Sequence, residues 1–110
     1  MDLKSLMEQA HATAKAKGWW ETERPFLEQL MLMVSELSEA GEDYRVHGLS
    51  PDKFLRIESG KPEGIAVELA DVLIRLGDTC EAYDIPLVEA LEKKLAYNLT
   101  RPYRHNNKLA

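Results

Sequence analysis

Two pairs of acidic residues are spaced so that each pair can present its carboxylates on one side of a helix. The first pair is Glu36 and Glu39, and the second is Glu68 and Asp71. Residues three apart in a helix lie on one face, with Cβ atoms about 5–6 Å apart. Each pair can therefore direct two carboxylates toward one point, which is what a bound cation requires.

The two pairs are expected at similar heights in an antiparallel helical hairpin. Glu39 should lie about 12 Å from the end of its helix near His47, and Glu68 about 9 Å from the start of a helix opened by Pro62. Four carboxylates this close repel each other unless a cation joins them. Mg²⁺ prefers hard oxygen ligands and keeps waters that substrate phosphates can replace, and Mn²⁺ can substitute for it.

A helical Glu-x-x-Glu is also common on a solvated face or in intrahelical ion pairs. Here both acidic pairs interrupt the most apolar stretches of the chain, Met31–Leu37 and Ile65–Leu76. Buried charges are rarely left unpaired, and metal coordination is one way to satisfy them. The setting therefore favours a metal site. Asp43 and Asp78 extend the two acidic faces and are expected at the surface or behind the ligands.

Lys94, Asn98 and Arg101 fall at i, i+4 and i+7, hence on one face of a further helix. Two cations and an amide in a row suit a polyphosphate, because arginine can bind it through two nitrogens and lysine supplies a point charge. A solvated outer face is the other interpretation of this stripe.

Trp19 and Trp20 are adjacent in a short linker. One of the two rings can face a pocket and stack on a nucleobase, and core or interface anchoring is the other interpretation. The three histidines, His11, His47 and His105, show no metal-ligand spacing. We expect them at the surface or behind the ligands.

Apolar residues at helical period predict four helices and almost no strand. The third helix is apolar nearly all round and is expected to be central, and Val88, Leu91 and Leu95 of the fourth are expected to point inward. Short connections between the helices indicate an all-α antiparallel four-helix bundle. The predicted bounds are Leu3 to Gly18, Thr22 or Pro25 to about His47, a short helical piece from Ser50 to about Ile57, Pro62 to the Asp84-Ile85-Pro86 turn, and a last helix stopped by Arg101-Pro102.

Composition predicts one domain over residues 1–110 and a cytoplasmic protein. The net charge of −5 argues against a nucleic-acid partner, and no apolar run is long enough for a membrane span. The lone cysteine, Cys80, cannot form an internal disulfide. The second and third helices carry more apolar surface than one small bundle can cover, which predicts a homodimer or a homotetramer built as a dimer of dimers.

The ordered set of motifs resembles the MazG-like all-α nucleoside triphosphate pyrophosphohydrolases, in particular their short single-domain branch. The similarity runs from about Phe26 to Arg101. It implies a homo-oligomeric helical bundle that hydrolyses a nucleoside triphosphate to the monophosphate and pyrophosphate, with a role in nucleotide-pool house-cleaning. The motifs are Glu36-x-x-Glu39, Glu68-Leu-Ala-Asp71-Val-Leu and Lys94-x-x-x-Asn98-x-x-Arg101.

By this resemblance Glu36, Glu39, Glu68 and Asp71 would be the catalytic magnesium ligands. Lys94, Asn98 and Arg101 would hold the nucleotide phosphates, and Trp19 or Trp20 would stack on the base. Many members open the first motif with two glutamates, whereas this chain has Ser35-Glu36, so Glu39 or metal coordination alone would activate the water.

Two alternatives stay open from the sequence. A sister activity would act on dUTP or phosphoribosyl-ATP, and a catalytically weak module would bind nucleotide without turnover. The tail, residues 103–110, is predicted either to stay flexible or to fold over the site of a neighbouring subunit.

Overall fold

A computed structural model describes residues 1–103 and confirms a mainly α-helical chain. A 3₁₀ turn at Pro51–Lys53 and a small hairpin, β1 (Arg56–Glu58) with β2 (Lys61–Glu63), lie between the second and third helices. The predictions for His105 and for the tail after Tyr103 lie outside these residues. Within them, no helix is both long and apolar enough to cross a membrane. The helices are α1 (Leu3–Ala16), α2 (Phe26–His47), α3 (Ile65–Ala82) and α4 (Leu87–Thr100).

The third helix is central, as its apolar composition predicted, because α1 and α2 both pack along it. Met7 and Ala10 of α1 and Cys80 of α3 are the apolar side chains buried in the described chain. Gly77 of α3 faces α1, since a Cβ there would be in van der Waals contact with the Cα of Met7 at 3.4 Å. Packing against α3 thus fixes α2, which carries the first acidic pair.

The segment before α3 differs from the prediction. The expected helical piece from Ser50 to Ile57 is only the short 3₁₀ turn, and Pro62 lies in β2 rather than opening α3. The reason is the turn between the strands, where Ser59 and Gly60 have φ values of +52° and +78°. Two consecutive residues in the left-handed region reverse the chain into a tight antiparallel hairpin, which pairs Ile57 with Pro62.

The hairpin is anchored where it returns to α3. Gly64 has φ +121°, and a Cβ there would overlap the carbonyl oxygen of Phe54 and lie 2.8 Å from that of Lys53. The same Phe54 oxygen accepts a hydrogen bond of 3.0 Å from the backbone N–H of Ala66. Helix α3 therefore starts at Ile65, which places Glu68 in its first turn rather than well inside it.

The fourth helix does not join the other three within one chain. Every residue from Glu89 to Thr100 is exposed, and α4 has no extensive packing against the other described helices. Leu91 and Leu95 are 44% and 56% exposed, so the prediction that they point inward is wrong for a single chain. Three helices alone do not provide the core that the bundle prediction assumed.

Candidate metal centre

Three of the four predicted carboxylates converge between α2 and α3. One oxygen each from Glu36, Glu68 and Asp71 lies within 4.8 Å of the others, and all three residues are half-buried. Oxygens bound to Mg²⁺ at about 2.1 Å are roughly 3 Å apart when adjacent and roughly 4.2 Å apart when opposite. Side-chain adjustments on the order of 1 Å would therefore suffice for this donor set to bind Mg²⁺.

The electrostatics of this acidic cluster also suit a cation. Burial raises the pKa of Glu68, and the negative charges of Asp71, Glu36 and Glu39 raise it further. Burial also raises the pKa of Asp71, followed by the charge of Glu36, whereas Arg75 and Lys61 lower it. Concentrated negative charge disfavours the ionised carboxylates, and a divalent ion would remove that penalty.

Glu39 lies outside the cluster. Its side chain is exposed and lines an acidic groove of about 230 Å³ that also reaches Glu68 and His47. Three residues along a helix amount to about 300° of rotation, so Glu39 is turned about 60° from Glu36 and sits nearly one turn further along. It can act at the rim of the site, and its charge reaches Glu68.

The carboxylate of Asp43 is paired with Arg56 of the β-hairpin. Its two carboxylate oxygens accept hydrogen bonds of 2.9 and 3.3 Å from Arg56 of β1. This pairing holds the pKa of Asp43 below its usual value. In the structure this pair ties β1 to α2.

Arg75 is part of the site, although the sequence analysis did not single it out. Its Nε donates a 2.8 Å hydrogen bond to Oε1 of Glu36, and the side chains of Arg75 and Glu36 are 31% and 16% exposed. The available signal was spacing, because Arg75 follows Asp71 by four residues and Glu68 by seven, on the same face of α3. Lys61 of β2 also acts on the site, because its charge lowers the pKa of Asp71. It was not predicted near the cluster, since no strand was predicted there.

The two tryptophans have different surroundings. Nε1–H of Trp20 donates to Oδ1 of Asp78 at 2.9 Å, and Nδ1–H of His11 donates to the same oxygen at 2.8 Å. His11 and Tyr83 also pack edge-on against the ring of Trp20. Asp78 is only 7% exposed, so the expectation that it lies at the surface or behind metal ligands is wrong. It joins the linker to α3.

Trp19 lies on the side of the linker that faces the acidic cluster. The guanidinium carbon of Arg24 is 4.0 Å from the centre of its ring, and that of Arg75 is 5.5 Å away. A stacked guanidinium limits the room for a nucleobase on that ring. By contrast, Trp20 and His11 line a pocket of about 300 Å³ together with Lys15, Thr22 and Tyr83.

The structure does not bring the basic stripe to the acidic cluster within one chain. Helix α4 has no extensive packing against α2 or α3, the two helices that carry the cluster. Lys94 and Arg101 instead flank Tyr97, at 5.1 and 5.8 Å from its ring centre. Asn98 is exposed between them.

Along one face of α3 the site has three parts, namely the acidic cluster at the helix start, then Arg75, then Asp78 with the Trp20 pocket. About 10 Å of helix separates Asp71 from Asp78. No known family model, curated protein or solved structure matches the chain. The geometry of this face and the sequence motifs are therefore the basis for assigning a function.

Proposed function

We propose that this chain is a magnesium-dependent enzyme of the MazG-like kind, which hydrolyses a nucleoside triphosphate to the monophosphate and pyrophosphate. The observation that supports this most directly is the convergence of Glu36, Glu68 and Asp71 from two helices. Surface carboxylates do not usually gather in a half-buried position beside an apolar helix interface unless a cation or a basic partner compensates them.

The acidic residues of the cluster and of its rim have different roles in this proposal. Glu36, Glu68 and Asp71 would hold Mg²⁺, which would neutralise phosphate charge and acidify a bound water. Glu39 is exposed at the rim of the groove, and in this proposal it would accept a proton from a water that enters from solvent. The exposed Ser35 is not a base at neutral pH, whereas Glu39 lines the same groove as Glu68 and its charge acts on Glu68.

The nucleoside end is proposed to lie toward the Trp20 pocket. Trp20 is held by Asp78 and packed by His11, so its ring is fixed before a base arrives. Trp19 is less suited to stacking, because the guanidinium of Arg24 already lies on its ring. About 10 Å of helix separates Asp71 from Asp78, so a nucleotide that reaches both ends would have to lie extended along α3.

We further propose that the working protein is a homodimer or a dimer of dimers. Leu27 of α2 is 67% exposed, the apolar groove between α1 and α3 measures about 530 Å³, and α4 exposes Leu91 and Leu95. Exposed apolar surface of this extent is typical of an interface. In such an assembly, Lys94, Asn98 and Arg101 of one copy could reach the phosphates bound at the other copy's acidic cluster.

Sedimentation equilibrium tests the assembly. Wild-type protein at micromolar concentration is expected to be dimeric or larger, and Leu95→Asp is expected to shift it toward monomer because a charge would be buried. A wild-type protein that stays monomeric at these concentrations would contradict the proposed assembly.

A panel of ordinary and modified nucleoside triphosphates tests the reaction. With Mg²⁺ the protein should release pyrophosphate, not orthophosphate, from at least one nucleotide, and Glu68→Gln should abolish release. Glu8→Gln, at an exposed position of α1, is the matched control. Turnover restricted to dUTP or phosphoribosyl-ATP would identify a sister activity, whereas binding without products would indicate a nucleotide-binding module.

A further inference from the structure

Arg75 links the acidic cluster to the tryptophan linker. It is held on one side by its Nε hydrogen bond to Glu36 and on the other by Trp19, whose ring centre is 5.5 Å from the guanidinium carbon. Both contacts restrict the side chain before any ligand binds. An arginine fixed in this way loses less conformational entropy on binding than a free one.

The terminal nitrogens of Arg75 remain available. Within residues 1–103, neither Nη1 nor Nη2 has a hydrogen-bond partner, and the side chain is 31% exposed. Only Nε is used by Glu36, so up to four N–H groups of the guanidinium can still donate. A guanidinium plane matches the oxygens of a phosphate, which can accept two such bonds at once.

The position of the Arg75 terminal N–H groups determines which part of a bound nucleotide they would contact. Arg75 lies one helical turn beyond Asp71 and about one turn before Asp78, hence between the acidic cluster and the Trp20 pocket. A triphosphate whose outer phosphates lie at the carboxylates and whose base lies at Trp20 must pass this side chain.

We propose that Arg75 is a substrate-binding residue that donates its terminal N–H groups to the phosphate nearest the nucleoside, while Glu36 and Trp19 hold it in place. This inference depends on the proposed function, because it assumes a triphosphate at the acidic cluster.

The competing explanation is purely structural, with Arg75 serving only to neutralise Glu36. The two explanations predict different responses in metal binding and in phosphate binding. If Arg75 merely neutralises Glu36, its removal changes the affinity for the metal ion and affects the triphosphate only through that change. If Arg75 contacts phosphate, triphosphate affinity falls although metal affinity is retained or increased.

The experiment compares wild type, Arg75→Gln, Arg75→Lys and the charge-matched control Lys4→Gln, an exposed α1 residue. Mn²⁺ binding without nucleotide is measured by electron paramagnetic resonance. Binding of α,β-methylene ATP and of inorganic tripolyphosphate with Mg²⁺ is measured by calorimetry. Circular dichroism melts establish that each variant is folded.

For Arg75→Gln we expect triphosphate affinity to fall by about 10- to 100-fold, the range for a lost charged hydrogen bond. Mn²⁺ affinity should stay the same or rise, Arg75→Lys should recover part of the loss, and Lys4→Gln should bind like wild type. Equal triphosphate affinity in Arg75→Gln and wild type, or a parallel loss of Mn²⁺ and triphosphate binding, would overturn the role of Arg75 alone. A wild-type protein that neither binds nor cleaves any triphosphate would instead overturn the proposed function.

Discussion

Replacing Glu68 by glutamine should stabilise the protein in the absence of divalent metal. Glu68 has a raised pKa, caused first by burial and then by the charges of Asp71, Glu36 and Glu39. A raised folded-state pKa means that the folded protein binds the proton more tightly than the unfolded chain. Protonation of Glu68 therefore stabilises the folded protein fully at pH values below the unfolded-state pKa. This stabilisation is lost as pH rises through the folded-state pKa. At neutral pH the ionised carboxylate opposes folding.

The size of the effect follows from the separation of the charges. Two carboxylate charges 4.8 Å apart repel by about 1 kcal/mol when largely screened by water. Glu68 has two such neighbours, Glu36 and Asp71, and Arg75 offsets part of their charge. The net gain in unfolding free energy for Glu68→Gln is therefore about 1–2 kcal/mol, or roughly 4–8 °C in Tm for a domain of this size.

Thermal melts followed by circular dichroism at pH 7, in EDTA and in Mg²⁺, measure both parts of this prediction. In EDTA, Glu68→Gln should melt above wild type, whereas Glu8→Gln should not. Adding Mg²⁺ should raise the Tm of wild type and of Glu8→Gln, with little effect on Glu68→Gln. A lower Tm for Glu68→Gln in EDTA, or an equal response of all three proteins to Mg²⁺, would refute the idea of a repulsive metal-binding cluster.

Three further predictions concern the elements that hold the site. Gly64→Ala should cost about 3 kcal/mol or more in urea unfolding, because an added Cβ overlaps the backbone carbonyl of Phe54 at a positive φ; an unchanged midpoint would contradict the tight contact. Asp78→Ala should cost about 2–3 kcal/mol and shift tryptophan fluorescence, since Trp20 and His11 lose a shared acceptor; wild-type spectra and stability would count against that role. Asp43→Asn should melt below wild type at neutral pH, because Arg56 lowers the pKa of Asp43; the difference should shrink as pH falls through the usual value of 3.8 and disappear below the lowered pKa, and a difference that persists there would show another cause.

The helical pattern predicted much of what positions the site. The i, i+3 spacing placed Glu68 and Asp71 on one face of α3. The packing of α2 against α3 brings them close to Glu36. The same rule did not separate Glu36 from Glu39, because the rotation between them decides which one faces α3, and that depends on how α2 packs. Spacing alone therefore could not show that only three of the four predicted carboxylates converge.

Other features depended on tertiary contacts that the pattern does not encode. The hairpin was missed because its strands are only three residues long and Pro62 resembles a helix start. Asp78 looked like an extension of an acidic face, and its burial became evident only once Trp20 and His11 were seen to donate to it. The orientation of the two tryptophans could not be predicted, because a linker has no helical period.

The exposure of α4 has a different origin. Its apolar residues were assigned to the core of a bundle made by one chain, whereas the described chain leaves Leu91 and Leu95 exposed. Amphipathicity shows that a helix needs an apolar neighbour, and it does not show whether that neighbour belongs to the same chain.

The most direct measurement of the proposed chemistry is product analysis after incubation of the purified protein with a nucleotide panel and Mg²⁺. We predict pyrophosphate and nucleoside monophosphate from at least one nucleotide, complete loss of both products in EDTA and in the Glu68→Gln protein, and wild-type yields from Glu8→Gln. Absence of pyrophosphate from every nucleotide, or its release at wild-type rates by Glu68→Gln, would contradict a pyrophosphohydrolase built on Glu36, Glu68 and Asp71.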